Sequence, residues 1–129
     1  MNGLHLIADL SGCRCEPVLL LDAARLEALC AGACARHELT VVGRLFHTFR
    51  DAAGAPAGVT GAVVLAESHL ALHTWPEIAA VTLDIYVCNY SGDNSERARA
   101  LFAEVTAAFA PGHRDLRAVE RGRPGQPAG

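Results

Sequence analysis

Residues 59–88 read VTGAVVLAESHLALHTWPEIAAVTLDIYVC, and this stretch decides the fold. Residues 59–65, 70–75 and 81–88 are three short apolar runs, separated by the polar residues Glu67-Ser68-His69 and by a break opened at Pro76. Several strands in a row, with links too short for a crossover helix, pair antiparallel. With residues 70–75 extended, His69, Ala71 and His73 share one face of that strand, and Leu70, Leu72 and Thr74 share the other.

Upstream, Leu4, Leu6, Ala8 and Leu10 alternate with His5, Ile7 and Asp9 as a first strand. Pro17 can open a helix, and residues 20–36 repeat apolar positions at helical spacing through Leu26, Leu29, Cys30, Ala33 and Cys34. Residues 39–49 are β-branched and aromatic and predict a second strand; residues 50–58 are a loop by composition. Downstream, Asp93, Asn94 and Ser95 are good N-caps for a helix running to Phe109, with Leu101, Phe102, Val105, Ala108 and Phe109 on its buried side. Pro111-Gly112 stops it, residues 113–119 form a last strand, and residues 122–129 are expected to be a disordered tail. The order β-α-β-β-β-β-α-β predicts an α/β (α+β) fold: a two-layer sandwich, an antiparallel sheet with two helices on one face, as a single domain over residues 1–121.

Composition narrows the chemistry. At 129 residues and 51% hydrophobic content there is chain for one core. All 11 basic residues are arginines. Without lysine there is no Schiff base to pyridoxal phosphate, no lysine aldolase and no P-loop lysine. A net charge of −3 argues against a nucleic-acid partner. No apolar run reaches the roughly 20 residues that span a bilayer, so no membrane partner is expected. The N-terminal residues lack a signal-peptide pattern, and five cysteines is an odd count for a disulfide framework; both point to the cytoplasm. Cys13, Cys15, Cys30 and Cys34 are read as packing residues, and no metal is expected.

The densest polar stretch is residues 66–77. A hydrogen-bonded turn is one reading of it. A metal site through His69 and His73 has no third ligand at a recognisable spacing. A serine hydrolase would want Gly-x-Ser-x-Gly, and Ser68 has no flanking glycine, so nucleophilic serine chemistry of another kind stays open.

Glu67-Ser68-His69 with His73-Thr74-Trp75-Pro76-Glu77, preceded by Gly58-Val59-Thr60-Gly61 and followed by Cys88, resembles the S-adenosylmethionine decarboxylase proenzymes of the short prokaryotic type. The likeness extends to His5-Leu6, Phe46-His47-Thr48-Phe49 and Glu120-Arg121-Gly122. It implies self-cleavage between residues 67 and 68 and a covalent pyruvoyl group made from Ser68. That cofactor fits a chain without lysine, because decarboxylating an α-amino acid requires an electron sink joined to the amine. By the same resemblance, Thr60 is the hydroxyl donor to the Glu67 carbonyl during processing, and His73 is the base for the Ser68 α-proton. Cys88 is the proton donor in turnover, while Phe49, Glu77 and Glu67 bind substrate. The Thr60 position carries serine in many relatives.

The resemblance implies decarboxylation of S-adenosylmethionine to supply the aminopropyl donor for spermidine synthesis. Two alternatives stand beside it: the same chemistry on ornithine or arginine, and an unprocessed, non-catalytic homologue acting as a binding or regulatory subunit. Residues 50–58 and 78–82 depart from the family pattern next to the expected substrate pocket. A homodimer of processed protomers is expected: the resemblance implies one in which each active site is completed across the interface, and a two-layer domain leaves one sheet face bare.

Overall fold

The computed structural model describes residues 2–122. The chain runs β1 (Gly3–Ser11), α1 (Val18–Leu21), α2 (Ala23–Arg36), β2 (Val41–Arg50), β3 (Pro56–Leu65), β4 (Ser68–Trp75), a 3-10 turn (Pro76–Ile78), β5 (Ala80–Cys88), α3 (Ser95–Ala108) and β6 (His113–Arg121). The strands form one sheet in the order β2-β3-β4-β5-β1-β6, and every neighbouring pair is antiparallel. The expected α+β two-layer architecture is the one the chain adopts. The tail expected from residue 122 lies, Gly122 apart, outside the described residues.

Alternation sets the two faces of the sheet. Leu4, Leu6, Ala8 and Leu10 of β1, Val59, Val63 and Leu65 of β3, Leu70 and Leu72 of β4, and Val81, Leu83, Ile85 and Val87 of β5 are all buried. Cross-strand register aligns them on one side, where Leu26, Cys30, Leu101, Val105 and Phe109 of the helical layer close over them. Each fully buried leucine there contributes roughly 2–3 kcal/mol by leaving water. Gly61 belongs to this face because the Phe46 ring lies across it, in the space that a Cβ would fill. The opposite face carries His5, Ile7, Thr60, Val64, His69, His73, Thr82, Asp84 and Tyr86, with no helix among the described residues over it.

Among the boundaries that differ from the sequence expectation, β4 begins at Ser68 rather than residue 70, and three others have a clear local reason. The helix expected over residues 20–36 is broken at Asp22, whose extended backbone ends α1 and whose carboxylate accepts from the Ala24 and Arg25 N–H groups to cap α2. The strand expected from residue 39 starts at Val41. Glu38 takes a left-handed conformation, and Leu39 donates back to the Cys34 carbonyl to close α2 in a Schellman turn. The loop expected over residues 50–58 shrinks because β3 already begins at Pro56; Asp51 tightens it by accepting from the Ala53 and Ala55 N–H groups.

Candidate active site

The hairpin between β3 and β4 has a two-residue turn, since Leu65 pairs with Ser68. Ser68 also pairs with Val87 on β5, so the first residue of β4 sits beside the C-terminal end of β5. There the Ser68 hydroxyl donates to the Glu67 carbonyl oxygen, the acceptor in its own preceding peptide. The Cys88 N–H donates to Ser68 Oγ at 2.6 Å and reaches the Glu67 carbonyl oxygen at 3.3 Å. A hydroxyl in contact with its own upstream carbonyl, with a fixed N–H reaching both oxygens, is set up for attack on that carbonyl. The N–H lies where negative charge would develop.

The Glu67 side chain is held by the segment after β5. Its carboxylate accepts from the Ser91 N–H at 2.7 Å, the Ser91 hydroxyl at 2.8 Å and the Asn94 amide at 3.2 Å. The Ser91 hydroxyl, then the Ser91 N–H, then the Asn94 amide hold this carboxyl below the ordinary value of 4.5. Asn94 also donates to the Cys88 carbonyl at 3.0 Å.

Thr60 and His73 lie elsewhere. They face each other across the β3–β4 ladder, Thr60 Oγ1 hydrogen-bonded to His73 Nδ1 at 3.0 Å. In the tautomer that donates Nδ1–H to Thr60, Nε2 keeps a free lone pair and can act as a base. Trp75 lies beside His73, with ring centroids 6.5 Å apart. Half-exposed Phe49 is at the far end of β2, edge-on to His47 at 5.3 Å. Glu77 sits on the exposed 3-10 turn immediately after β4. Buried Thr74 braces this end: its hydroxyl donates to the Leu20 carbonyl at 2.7 Å and accepts from the Val59 N–H at 2.8 Å.

The predicted residues therefore fall into two groups. Glu67, Ser68 and Cys88 come together at the start of β4; Thr60 and His73 meet near its other end, with Phe49 and Glu77 at that same end of the sheet. Ser68 and His73 are five residues apart on one strand, an odd offset that turns their side chains to opposite faces, and at about 3.4 Å per residue they stand ~17 Å apart. The cavity beside Ser68, lined by Glu67, Asn94 and Arg97 among others, holds about 200 Å³. That is below the roughly 300–1,000 Å³ of ordinary small-molecule pockets. Within one chain, the candidate site is in halves.

Sequence reasoning passed over the residues that hold these halves. Asn94 was visible only as a helix cap and Thr74 only as a core-facing position, while Ser91 and the Cys88 N–H carry no sequence signal of their role. Cys30 and Cys34 are core groups, which burial pushes up to about 12 and about 11, out of the range of reactive thiols; half-buried Cys13 and Cys15 pack against that core.

Comparison with known proteins places the chain in a family. Residues 4–122 match the family profile described as S-adenosylmethionine decarboxylase. The S-adenosylmethionine decarboxylase proenzyme of Picrophilus torridus is 38% identical over 120 residues, covering 93% of this chain and 84% of the relative. The corresponding proenzyme of Aquifex aeolicus is 37% identical over 93% of this chain and 81% of its own length. The crystal structure of the adenosylmethionine decarboxylase from Aquifex aeolicus VF5 superposes with a TM-score of 0.80 at 30% identity, covering 98% of this chain and 96% of that one.

Proposed function

Since this chain belongs to the S-adenosylmethionine decarboxylase family, we propose that its two half-sites are the two contributions to one decarboxylase centre, completed by a second copy of the chain. The chain is an S-adenosylmethionine decarboxylase, and we infer that its product is the aminopropyl donor for spermidine synthesis. No helix among the described residues is long and apolar enough to cross a membrane.

Processing begins at Glu67–Ser68. Ser68 Oγ bonds to the Glu67 carbonyl carbon while the peptide C–N bond breaks, converting the amide to an ester and leaving Ser68 with a free amine. The Cys88 N–H, 2.6 Å from Oγ and 3.3 Å from the carbonyl oxygen, steadies the charge that builds there. A base then removes the Ser68 α-proton and the Glu67 carboxylate departs. Water hydrolyses the resulting enamine, releasing ammonia and leaving a pyruvoyl group at the head of residues 68–129. This group supplies the electron sink that the missing lysine cannot hold.

His73 is that base and Thr60 the second donor to the Glu67 carbonyl. Their own chain holds them ~17 Å along β4 and on the other face of the sheet, a distance set by strand rise. That separation is the observation that carries the proposal, because both residues reach a Ser68 only from another protomer. The uncovered sheet face offers the surface for it, with Leu45 at 76% exposure and Val64 at 49% standing in water on the face that carries Thr60 and His73. Phe49 and Glu77 travel with His73 in this arrangement, Phe49 to stack on a flat base and Glu77 to hold hydroxyls or a cation. Cys88 stays with Ser68 as the proton donor in turnover.

Complementation tests this directly. The His73→Ala chain alone is expected to stop at the ester, its two parts still joined until hydroxylamine splits them. Mixed with Ser68→Ala chains, the His73→Ala chain yields fragments 1–67 and 68–129 by intact mass. Normal cleavage of His73→Ala alone would remove His73 as the base. Failure of the mixture to restore cleavage, with the dimer present by light scattering, would remove the partner from the site.

A further inference from the structure

We propose that Asn94 is a positioning residue for self-processing, its amide joining the two chain segments on which cleavage depends. The inference rests on cleavage between Glu67 and Ser68. Asn94 occupies the N-cap position of α3 and is only 6% exposed, yet its side chain makes no capping hydrogen bond. The Ser95 N–H at that helix start is taken by Asp93 instead, at 2.9 Å. A residue type suited to capping has been turned away from the helix, and its two amide hydrogens go to the Glu67 carboxylate at 3.2 Å and the Cys88 carbonyl at 3.0 Å.

Both acceptors belong to the reacting end. Glu67 carries the carbonyl that is attacked, and the Cys88 N–H is the donor to the Ser68 hydroxyl that attacks. By holding the Cys88 carbonyl, Asn94 restrains the segment that delivers this N–H; by holding the Glu67 carboxylate, it restrains the residue whose carbonyl must stay in contact with Oγ. Asn94 is itself fixed, its N–H donating to Asn89 Oδ1 at 2.9 Å and the Asn89 amide donating to Ser95 Oγ at 3.3 Å. Once the peptide bond is cut, Glu67 is a chain end, and its side-chain bonds to Ser91 and Asn94 remain to keep that end in place.

The test separates this role from capping. Aspartate caps helices as well as asparagine does, but Asn94→Asp has no amide hydrogens and sets a carboxylate against that of Glu67. Cleavage of purified precursor, followed by intact mass, is expected to slow ~10- to 100-fold, since displacement of a reacting group by even 1 Å has effects of this size. Glu67→Gln/Asn94→Asp returns a donor facing an acceptor, now with the donor on residue 67, and is expected to cleave faster than Asn94→Asp. Asn94→Ala is expected to be slow with or without Glu67→Gln, so rescue confined to the aspartate pair reports the hydrogen bond itself. Cleavage of Asn94→Asp at the wild-type rate, or no gain in the swapped pair, would overturn the inference. Absence of cleavage in the wild-type chain would overturn the processing reading instead.

Discussion

The two ends of β4 are built on different principles. At Trp75 the strand is locked by sheet register: Thr60 faces His73 in the last pair of the β3–β4 ladder, pairing with β5 runs on to Trp75, and the buried Thr74 hydroxyl ties β3 to the end of α1. At Ser68 the restraints on Glu67 come from outside the hairpin, through side chains and N–H groups of residues 88–94. The difference follows from what each end must survive. The ladder end is never cut, so backbone pairing suffices to hold His73. In the proposed processing the hairpin end loses its covalent link between Glu67 and Ser68, so its geometry would then depend on ties that cleavage does not remove.

The largest predicted effects separate the two ends by the stage at which they fail. Cys88→Ala keeps the backbone N–H on Ser68 and is expected to cleave normally, while turnover falls ~10²- to 10⁴-fold for loss of a proton donor. His73→Ala is expected to stop earlier, before chain separation. Measuring cleavage by mass and turnover by carbon dioxide release on the same samples checks both. Equal loss of cleavage in both variants would merge the two ends into one functional unit and remove the contrast.

The next effect tests whether the ladder end owes its rigidity to Thr74. Thr74→Val keeps the shape but leaves the Val59 N–H and Leu20 carbonyl without their buried partner, costing roughly 2–4 kcal/mol at ~1–2 kcal/mol per unpaired group. Thr74→Ser retains the hydroxyl and is expected to cost less than about 1.5 kcal/mol. Urea unfolding of both in the uncleavable Ser68→Ala background gives the comparison. A valine variant as stable as the serine one would show that packing alone holds this end.

Much of this was legible in residues 59–88. Three alternating runs fix which side of each strand is buried, and the polar residues between them mark both half-sites. The sequence pattern begins this strand at Leu70 and leaves Ser68 in the link; the structure starts β4 at Ser68, and only then does the odd offset place Ser68 and His73 on opposite faces of one strand. What stayed hidden was what lies across the gaps between segments. Asp22 interrupts an apolar helical pattern without altering its spacing, and Asn94 has the residue type of a cap while its side chain serves Glu67 and Cys88. Residue type reports what a side chain can bond; only the fold says which partner arrives.

A smaller effect belongs to the hairpin end. The Glu67 carboxyl is held below 4.5 by Ser91 and Asn94, so its pKa is lower folded than unfolded. Such a group stabilises the fold fully above its unfolded value, and that contribution disappears as pH falls through the folded value. In the Ser68→Ala background, Glu67→Gln is therefore expected to lose less melting temperature than Glu67 on acidification from about pH 5 to about pH 3. Glu104, held low mainly by Arg36, titrates alike in both and serves as the internal constant. Parallel acid curves would show that the ties to residue 67 do not hold the fold.

The smallest effect returns to the ladder end, at the turn that presents Glu77. Ala79 closes the 3-10 turn in the left-handed region, φ 48° and ψ 48°, with its N–H on the Pro76 carbonyl at 3.1 Å and its carbonyl accepting from the Cys13 N–H at 2.9 Å. A Cβ is disfavoured there, so Ala79→Gly is expected to stabilise the precursor by about 1 kcal/mol, glycine's greater unfolded-state freedom being the opposing effect. Because the two flanking hydrogen bonds use backbone groups that glycine retains, the turn keeps its shape and Glu77 its place. The expected signature is a higher urea midpoint with an unchanged KM for S-adenosylmethionine. A raised KM at higher stability would mean that the strained alanine itself positions Glu77, giving the ladder end a restraint beyond its register.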